Sequence, residues 1–233
     1  MNFDYERDTR AFYQDDATAQ RYHEMFMATG GWRNLPSRVV ARCERRAIAT
    51  ALTRVPHDTA LDIPAGTGKL ASVFAAAGTH VVAADVSASM LARARAQYAA
   101  AGGGDVGFQV ADASDLSTFA ANAFDVVVCL RLLHRVPAAL RERMLREFAR
   151  VAPWAVVSLG IESRFHARRR AVRAAIFGGR RAPLCFCSLA EAQAELTRAF
   201  EIVSATWIAR ALSQEMVFVI RAKRNPPTRT AGR

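Results

Sequence analysis

Thr59 to Met90 reads TALDIPAGTGKLASVFAAAGTHVVAADVSASM, and its order of residue types spells strand, glycine loop, helix, strand. Ala60, Leu61 and Ile63 make a short apolar strand that stops at Asp62–Pro64. Ala65-Gly66-Thr67-Gly68 is a loop in which the backbone can come close to a ligand, because glycine carries no Cβ. Leu70 to Ala77 reads as a helix ended by Gly78. His80 to Ala84 is a second buried strand closed by Asp85. Ser87 or Ser89 then caps a helix with Met90 and Leu91 in its first turn. Such a unit builds a nucleotide-binding crevice at the carboxyl ends of parallel strands.

Three ligand classes use a loop of this kind. A P-loop needs glycine five residues before Gly68 and a hydroxyl residue after Lys69; Ile63 and Leu70 stand there. A dinucleotide site wants G-x-G-x-x-G with helix amides open to the pyrophosphate, and Ala71 is tolerated at the third place. The third class ends its first strand in a carboxylate. Asp62 does so, and an anion there suits a cationic ligand.

The segment D-I-P-A-G-T-G-K-L resembles the first motif of the class I S-adenosylmethionine-dependent methyltransferases, with Pro64 where that motif has glycine. V-A-D-A at 110–113 is similar to the adenine-contacting motif of that family, and F-D-V-V-V at 124–128 followed by C-L-R-L-L-H to its fourth strand. The resemblance runs from Leu61 to Ile220 and is nearest the UbiE-like, small-molecule type. It implies a Rossmann-like, seven-stranded, mostly parallel sheet with an antiparallel last strand, helices on both faces and an N-terminal helical lid. It implies S-adenosyl-L-methionine as cofactor and S-adenosyl-L-homocysteine as product, held by Asp62, Pro64, Ala65, Gly66, Thr67, Gly68, Asp85, Val86, Met90, Asp112, Ala113 and Leu130. Asp85 matches the acid that binds the ribose hydroxyls, and Asp112 and Ala113 meet the adenine. The alternatives from other classes are an RNA or protein methyltransferase and a nucleotide-binding protein without catalysis.

Composition fits one α/β domain. The 233 residues are 52% hydrophobic, and no uncharged apolar run is long enough for a transmembrane helix. The mixed, acidic start MNFDYERDTR is unlike a signal or transit peptide. Cys43, Cys129, Cys185 and Cys187 lack metal-ligand spacing with histidine; they read as reduced cysteines of a cytoplasmic protein, with no metal expected. The formal charge of +11 is concentrated. Residues 163–181 carry seven arginines and 221–233 five cations, with no acid in either segment, so the remainder is nearly neutral.

Residues 1–55 form the expected N-terminal helical lid or cap, residues 56–223 the methyltransferase domain with a basic helical insertion at 163–181, and residues 224–233 a disordered basic tail. In the first segment Phe12, Ala19, Tyr22 and Phe26 make a helical apolar stripe, which reads as core-facing or, with Tyr22, as a lid over the cofactor. Leu35 to Leu52 is a second helix. After the central unit come a third strand at 106–110, a fourth at 124–129, a helix opened by Pro137 with Leu140, Met144, Phe148 and Val151 on one face, and a fifth strand at 155–159. Cys185-Phe-Cys187 alternates as a strand would. Ser188 to Glu191 is a capping box, and 202–208 and 216–220 are the closing strands.

Methyl transfer from a sulfonium needs an acceptor lone pair held about 3 to 3.5 Å from the methyl, away from water. An amine needs little else, whereas a hydroxyl or carbon acid needs a base, and His134 is the candidate. Arg131 either orients an acidic acceptor or serves as a salt-bridge residue. The resemblance implies that the segment around Arg168 and Arg169, after the fifth strand, lies where acceptors enter. The expected acceptor is small or lipid-like, with an anionic one favoured by these arginines. Nucleic acid is disfavoured because no aromatic-rich stacking motif accompanies these arginines.

Overall fold

The computed structural model describes residues 35–102, 104, 106–163, 167–168 and 185–223. The expected N-terminal helix with Tyr22, the greater part of the expected basic insertion with Arg169, and the tail from residue 224 lie outside these residues.

Helix α1 (Leu35–Leu52) leads into β1 (Thr59–Asp62); α2 (Ala71–Ala77), β2 (His80–Asp85), α3 (Ala88–Ala100) and β3 (Val106–Val110) follow. Next come β4 (Val126–Cys129), a 3₁₀ turn (Leu133–Arg135), α4 (Ala138–Val151) and β5 (Trp154–Gly160). The chain closes with α5 (Leu189–Leu196), β6 (Phe200–Trp207) and β7 (Glu215–Ala222). The seven strands lie in the order β3-β2-β1-β4-β5-β7-β6. β1 to β5 pair in parallel, and β7 runs antiparallel between β5 and β6. This is the expected Rossmann-like sheet. Among the described residues no helix is long and apolar enough to cross a membrane.

Side-chain alternation sorts the core into two layers. Ala60, Val81, Ala83, Val126, Val128, Val156, Val217 and Val219 face α1, α2 and α3. Leu61, Val127, Cys129, Ala155, Val157, Phe218 and Ile220 share the opposite layer with Met144 and Phe148 of α4 and Leu196 of α5. All four residues of β4 are buried, as its unbroken valine run predicts. The boundary expected at residue 55 falls inside packed structure, because Ile48, Ala51 and Leu52 of α1 share a cluster with Ala60 of β1.

Local signals account for the helix ends. Gly78 closes α2 in the left-handed region at φ 70°. Ser87, rather than Ser89, caps α3 by accepting from the Met90 amide. Ser188 and Glu191 form the reciprocal capping box of α5. The expected strand at 185–187 is a correction: Cys187 makes only an isolated bridge to Ile161. Its amide donates to the Gly160 carbonyl at the end of β5, while the Cys185 amide donates to the His134 carbonyl. The segment is thus a strap across the sheet edge.

Candidate functional site

The strand order reverses between β1 and β4, and the crevice lies at the carboxyl ends of these strands. Its floor is the glycine loop. The Ala65 amide donates to the Ala84 carbonyl of β2, and the Gly68 amide to the Ala65 carbonyl, so the loop turns tightly back. Gly66 has φ 55°, and a Cβ placed on it would meet nothing within 4 Å. Gly68 has φ 81°, but there a Cβ would lie 2.8 Å from Gln97 Cβ and 3.1 Å from Ala94 Cα. Gly66 therefore leaves open space, and Gly68 lets α3 pack against the loop. The neighbours Ala65 and Thr67 are buried, and Pro64 is half-buried.

Three of the predicted carboxylates occupy different environments. Asp62 is buried at the end of β1 and accepts from the Tyr98 hydroxyl at 2.9 Å. Burial pushes its pKa up to about 7; the Tyr98 hydrogen bond opposes this and the charge of Asp85 adds to it. Asp85 accepts from the Gly66 amide through Oδ2 and from the Ser87 amide through Oδ1, each at 2.9 Å. Burial raises its pKa, and these amides pull it back down. Asp112, beyond β3, accepts from the amide and hydroxyl of Ser114 at 2.8 Å, which shapes the turn that carries Ala113. Val86 is half-buried, and Met90, Ala113 and Leu130 are buried around the same edge.

Beyond β4 the chain turns sharply at Arg131, φ 65°. Its amide donates to Ser158 Oγ on β5, and Ser158 in turn donates to Glu215 on β7. The Arg131 guanidinium lies 2.8 Å from Glu44 Oε1 and 3.6 Å from Glu215 Oε1. Of the two roles open to Arg131, the geometry supplies the salt bridge. Glu44, on α1, is fully buried, and its second oxygen accepts from Lys69 at 2.9 Å. Lys69 follows the glycine loop and Arg131 follows β4, and Glu44 ties them together. Sequence reasoning passed over Glu44, although one signal marks it. It falls on the buried stripe of α1 between Ala41 and Ile48, where a carboxylate requires cationic partners.

His134 sits in the 3₁₀ turn, 2% exposed, and its Nδ1 has no hydrogen-bond partner. Burial drives its pKa well below the ordinary 6.5, and the charges of Arg135 and Arg131 add to this. The ring is neutral. Phe186 of the strap packs beside it, ring centres 5.9 Å apart. Gly160 admits this arrangement, since a Cβ there would lie 2.2 Å from the Phe186 ring. Arg141 of α4 secures the turn from beneath: it donates to the carbonyls of Leu133, Val136 and Cys185 and pairs with Glu195 of α5. Beyond the end of β5, Ile161, Glu162, Leu189, Trp207 and Arg210 line a cleft of about 620 Å³. Arg168, the described member of the predicted acceptor-side pair, is exposed.

Comparison with known proteins agrees with this architecture. Residues 60–153 match a methyltransferase domain family. An uncharacterized protein of Mycobacterium tuberculosis is 33% identical over 129 residues, 55% of this chain and 45% of the relative. The demethylmenaquinone methyltransferase of Clavibacter sepedonicus is 43% identical over 83 residues, 36% of this chain and 33% of the relative. The matches thus span less than half the length of these curated relatives. The crystal structure of magnesium protoporphyrin IX methyltransferase from Synechocystis, solved with bound S-adenosylhomocysteine, superposes with a TM-score of 0.75 at 18% identity, covering 91% of this chain and 98% of that one. Human N-acetylserotonin methyltransferase, solved with S-adenosylmethionine, gives a TM-score of 0.65 at 13% identity, covering 95% of this chain and 61% of that one.

Proposed function

With residues 60–153 matching a methyltransferase domain family and set in a Rossmann-like sheet, we propose that the chain transfers the methyl group of S-adenosyl-L-methionine to a small or lipid-like acceptor. The observation that carries this reading is the open space above Gly66 beside the buried carboxylate of Asp85. Gly66, Thr67 and Gly68 would hold the amino-acid end of the cofactor by backbone contact. Asp85 would take the ribose, Asp112 and Ala113 the adenine, and Leu130 and Met90 would supply apolar walls. Asp62 fits the same ligand from beneath the loop, because a cation nearby would favour its ionised form.

The cofactor supplies an activated methyl group, and the protein supplies alignment and dryness. The strap with Phe186 shields His134 from water. Burial keeps the His134 ring neutral, so it has a lone pair to receive a proton from an acceptor hydroxyl or carbon acid once such a group reaches it. Arg131 holds this turn through Glu44 and Ser158 and is a positioning residue. Tyr22, as a lid, and Arg168 with Arg169, at the acceptor mouth, complete the proposal from the sequence pattern.

The cleft beyond β5 supports the acceptor class, since Ile161, Leu189 and Trp207 give apolar walls and Arg210 a cation. The demethylmenaquinone methyltransferases among the relatives and the porphyrin methyltransferase among the structural neighbours point the same way. The test has two parts. Calorimetry should give saturable binding of S-adenosylhomocysteine, and a labelled methyl donor should mark an apolar quinol or phenol. Binding of NAD(H) without S-adenosylhomocysteine would refute the cofactor assignment. If His134 is the base, His134→Ala lowers turnover about 10²–10⁴-fold with cofactor affinity kept. An unchanged rate would assign it to structure.

A further inference from the structure

The two helical layers carry their charge differently. On the α4–α5 side most cations are paired: Arg141 with Glu195, Arg146 and Arg198 with Glu142, Arg150 with Glu147, while Arg143 donates to the Ser114 carbonyl. On the other side α2 and α3 contain no carboxylate, and the one carboxylate of α1, Glu44, is buried and bound inward. Arg38, Arg42 and Arg46 stand exposed along α1, each about 6 Å further along the axis than the last. Among the described residues none of these three pairs with a carboxylate. The near-neutral total outside residues 163–181 and 221–233 therefore conceals a cationic helical face, offset by carboxylates elsewhere in the chain.

The arginines overhang a groove of about 940 Å³ between α1 and α2–α3. Ala49, Ala76, Ala100 and Ala101 are among its lining residues, so small side chains leave the guanidinium groups prominent. Gly68 and Lys69 also line it, which brings the groove to the back of the glycine loop. Val39, 40% exposed, stands between Arg38 and Arg42 in the chain and adds an apolar contact.

We propose that this α1–α3 face docks the protein on an anionic bilayer surface, with the catalytic edge at headgroup level. A surface with several arginines, of which Arg38, Arg42 and Arg46 pair with no carboxylate among the described residues, attracts polyanions, and each basic residue near anionic lipid adds to the attraction. The choice of a bilayer rests on the lipid-like acceptor proposed above, which a bilayer would hold. The lining residues include no aromatic side chain on which single-stranded nucleic acid would stack.

The experiment is sedimentation of the full chain with phosphatidylglycerol vesicles, with phosphatidylcholine vesicles as control, at about 0.1 M ionic strength. The parent should bind the anionic vesicles alone and be released by salt. The triple variant Arg38→Glu, Arg42→Glu, Arg46→Glu should bind them about a hundredfold or more weakly. The neutral variant with Gln at the three positions should fall between the two. The basic segments at 163–181 and 221–233 are present in every protein, so the differences read the α1 face. S-adenosylhomocysteine calorimetry on the same samples reports folding and tests the cofactor reading separately. Absence of vesicle binding by the parent, or equal binding by the triple variant, would overturn the proposal. So would arginine-dependent binding of duplex RNA or DNA in preference to vesicles, with the steep salt dependence of phosphate contacts.

Discussion

Asp85 Oδ2 lies 2.9 Å from the amide nitrogen of Gly66. The acid that ends the second strand therefore holds the glycine loop directly, nineteen residues away in sequence. A carboxylate in this position sets the loop and, under the proposed function, meets the ribose of the cofactor. Asp85→Asn replaces one oxygen by an NH2 group that cannot accept, so one of the bonds from Gly66 and Ser87 is lost along with the charge. A charge-assisted hydrogen bond is worth about 1.5–3 kcal/mol, so S-adenosylhomocysteine affinity should fall about tenfold or more. Unchanged affinity by calorimetry would remove Asp85 from the site.

The two loop glycines should respond in opposite ways. Gly66→Ala meets open space in the protein, so the fold survives with a strain of about 1–2 kcal/mol from its left-handed φ. The methyl group would then occupy cofactor space, and affinity should be lost. Gly68→Ala drives a Cβ into Gln97 and the backbone of Ala94, and its thermal midpoint should fall well below that of Gly66→Ala. Melting curves with and without ligand separate the two.

Glu44 accepts from both Lys69 and Arg131 while fully buried. Glu44→Gln removes the carboxylate that Lys69 and Arg131 share, while Arg131 keeps Glu215 at 3.6 Å, and breaking a buried pair from one side costs about 3–5 kcal/mol. Urea unfolding should show this loss. The double variant Glu44→Gln, Lys69→Met should recover part of it, and a further loss in the double variant would contradict the ion-pair account.

Asp62 and His134 tilt stability with pH in opposite directions. The folded Asp62 pKa of about 7 lies above its ordinary 3.8. The folded state thus holds a proton that the unfolded chain releases, and this contribution is lost as pH rises from about 4 to 7. Asp62→Asn should remove that decline. The folded His134 pKa is depressed below 6.5. Its contribution is present above that pH and lost as pH falls, when the unfolded chain takes up the proton. His134→Phe should flatten the acid limb. Urea midpoints measured across this range test both, and parallel profiles for variant and parent would refute the burial argument.

Binding of a cationic cofactor near Asp62 should release a proton below pH 7, since positive charge favours its ionised form. Calorimetry in buffers of different ionisation enthalpy should detect the release with S-adenosylmethionine. Identical apparent enthalpies in all buffers would place Asp62 outside the ligand's reach.

Features governed by neighbouring residues were legible in the chain itself. The valine run of β4, the glycine loop, the Ser87 cap and the Ser188–Glu191 box follow from period, φ preference and local hydrogen bonding. They were enough for the doubly wound sheet and for the edge at which ligands bind. What each polar side chain does there was decided by partners distant in sequence. Arg131 became a salt-bridge residue because α1 brings Glu44 to it across 87 positions. The His134 pKa is lowered by burial and by the charges of Arg135 and Arg131, and Phe186, from a segment that alternates like a strand, packs beside it at the sheet edge. Arg141 is drawn into the structure by three carbonyls and Glu195. The cationic face of α1 appeared once Glu44 turned inward and left its arginines outside. Sequence carries the periodicities that bury a face, but the charge a buried or exposed group keeps depends on which other groups folding brings within a few ångströms.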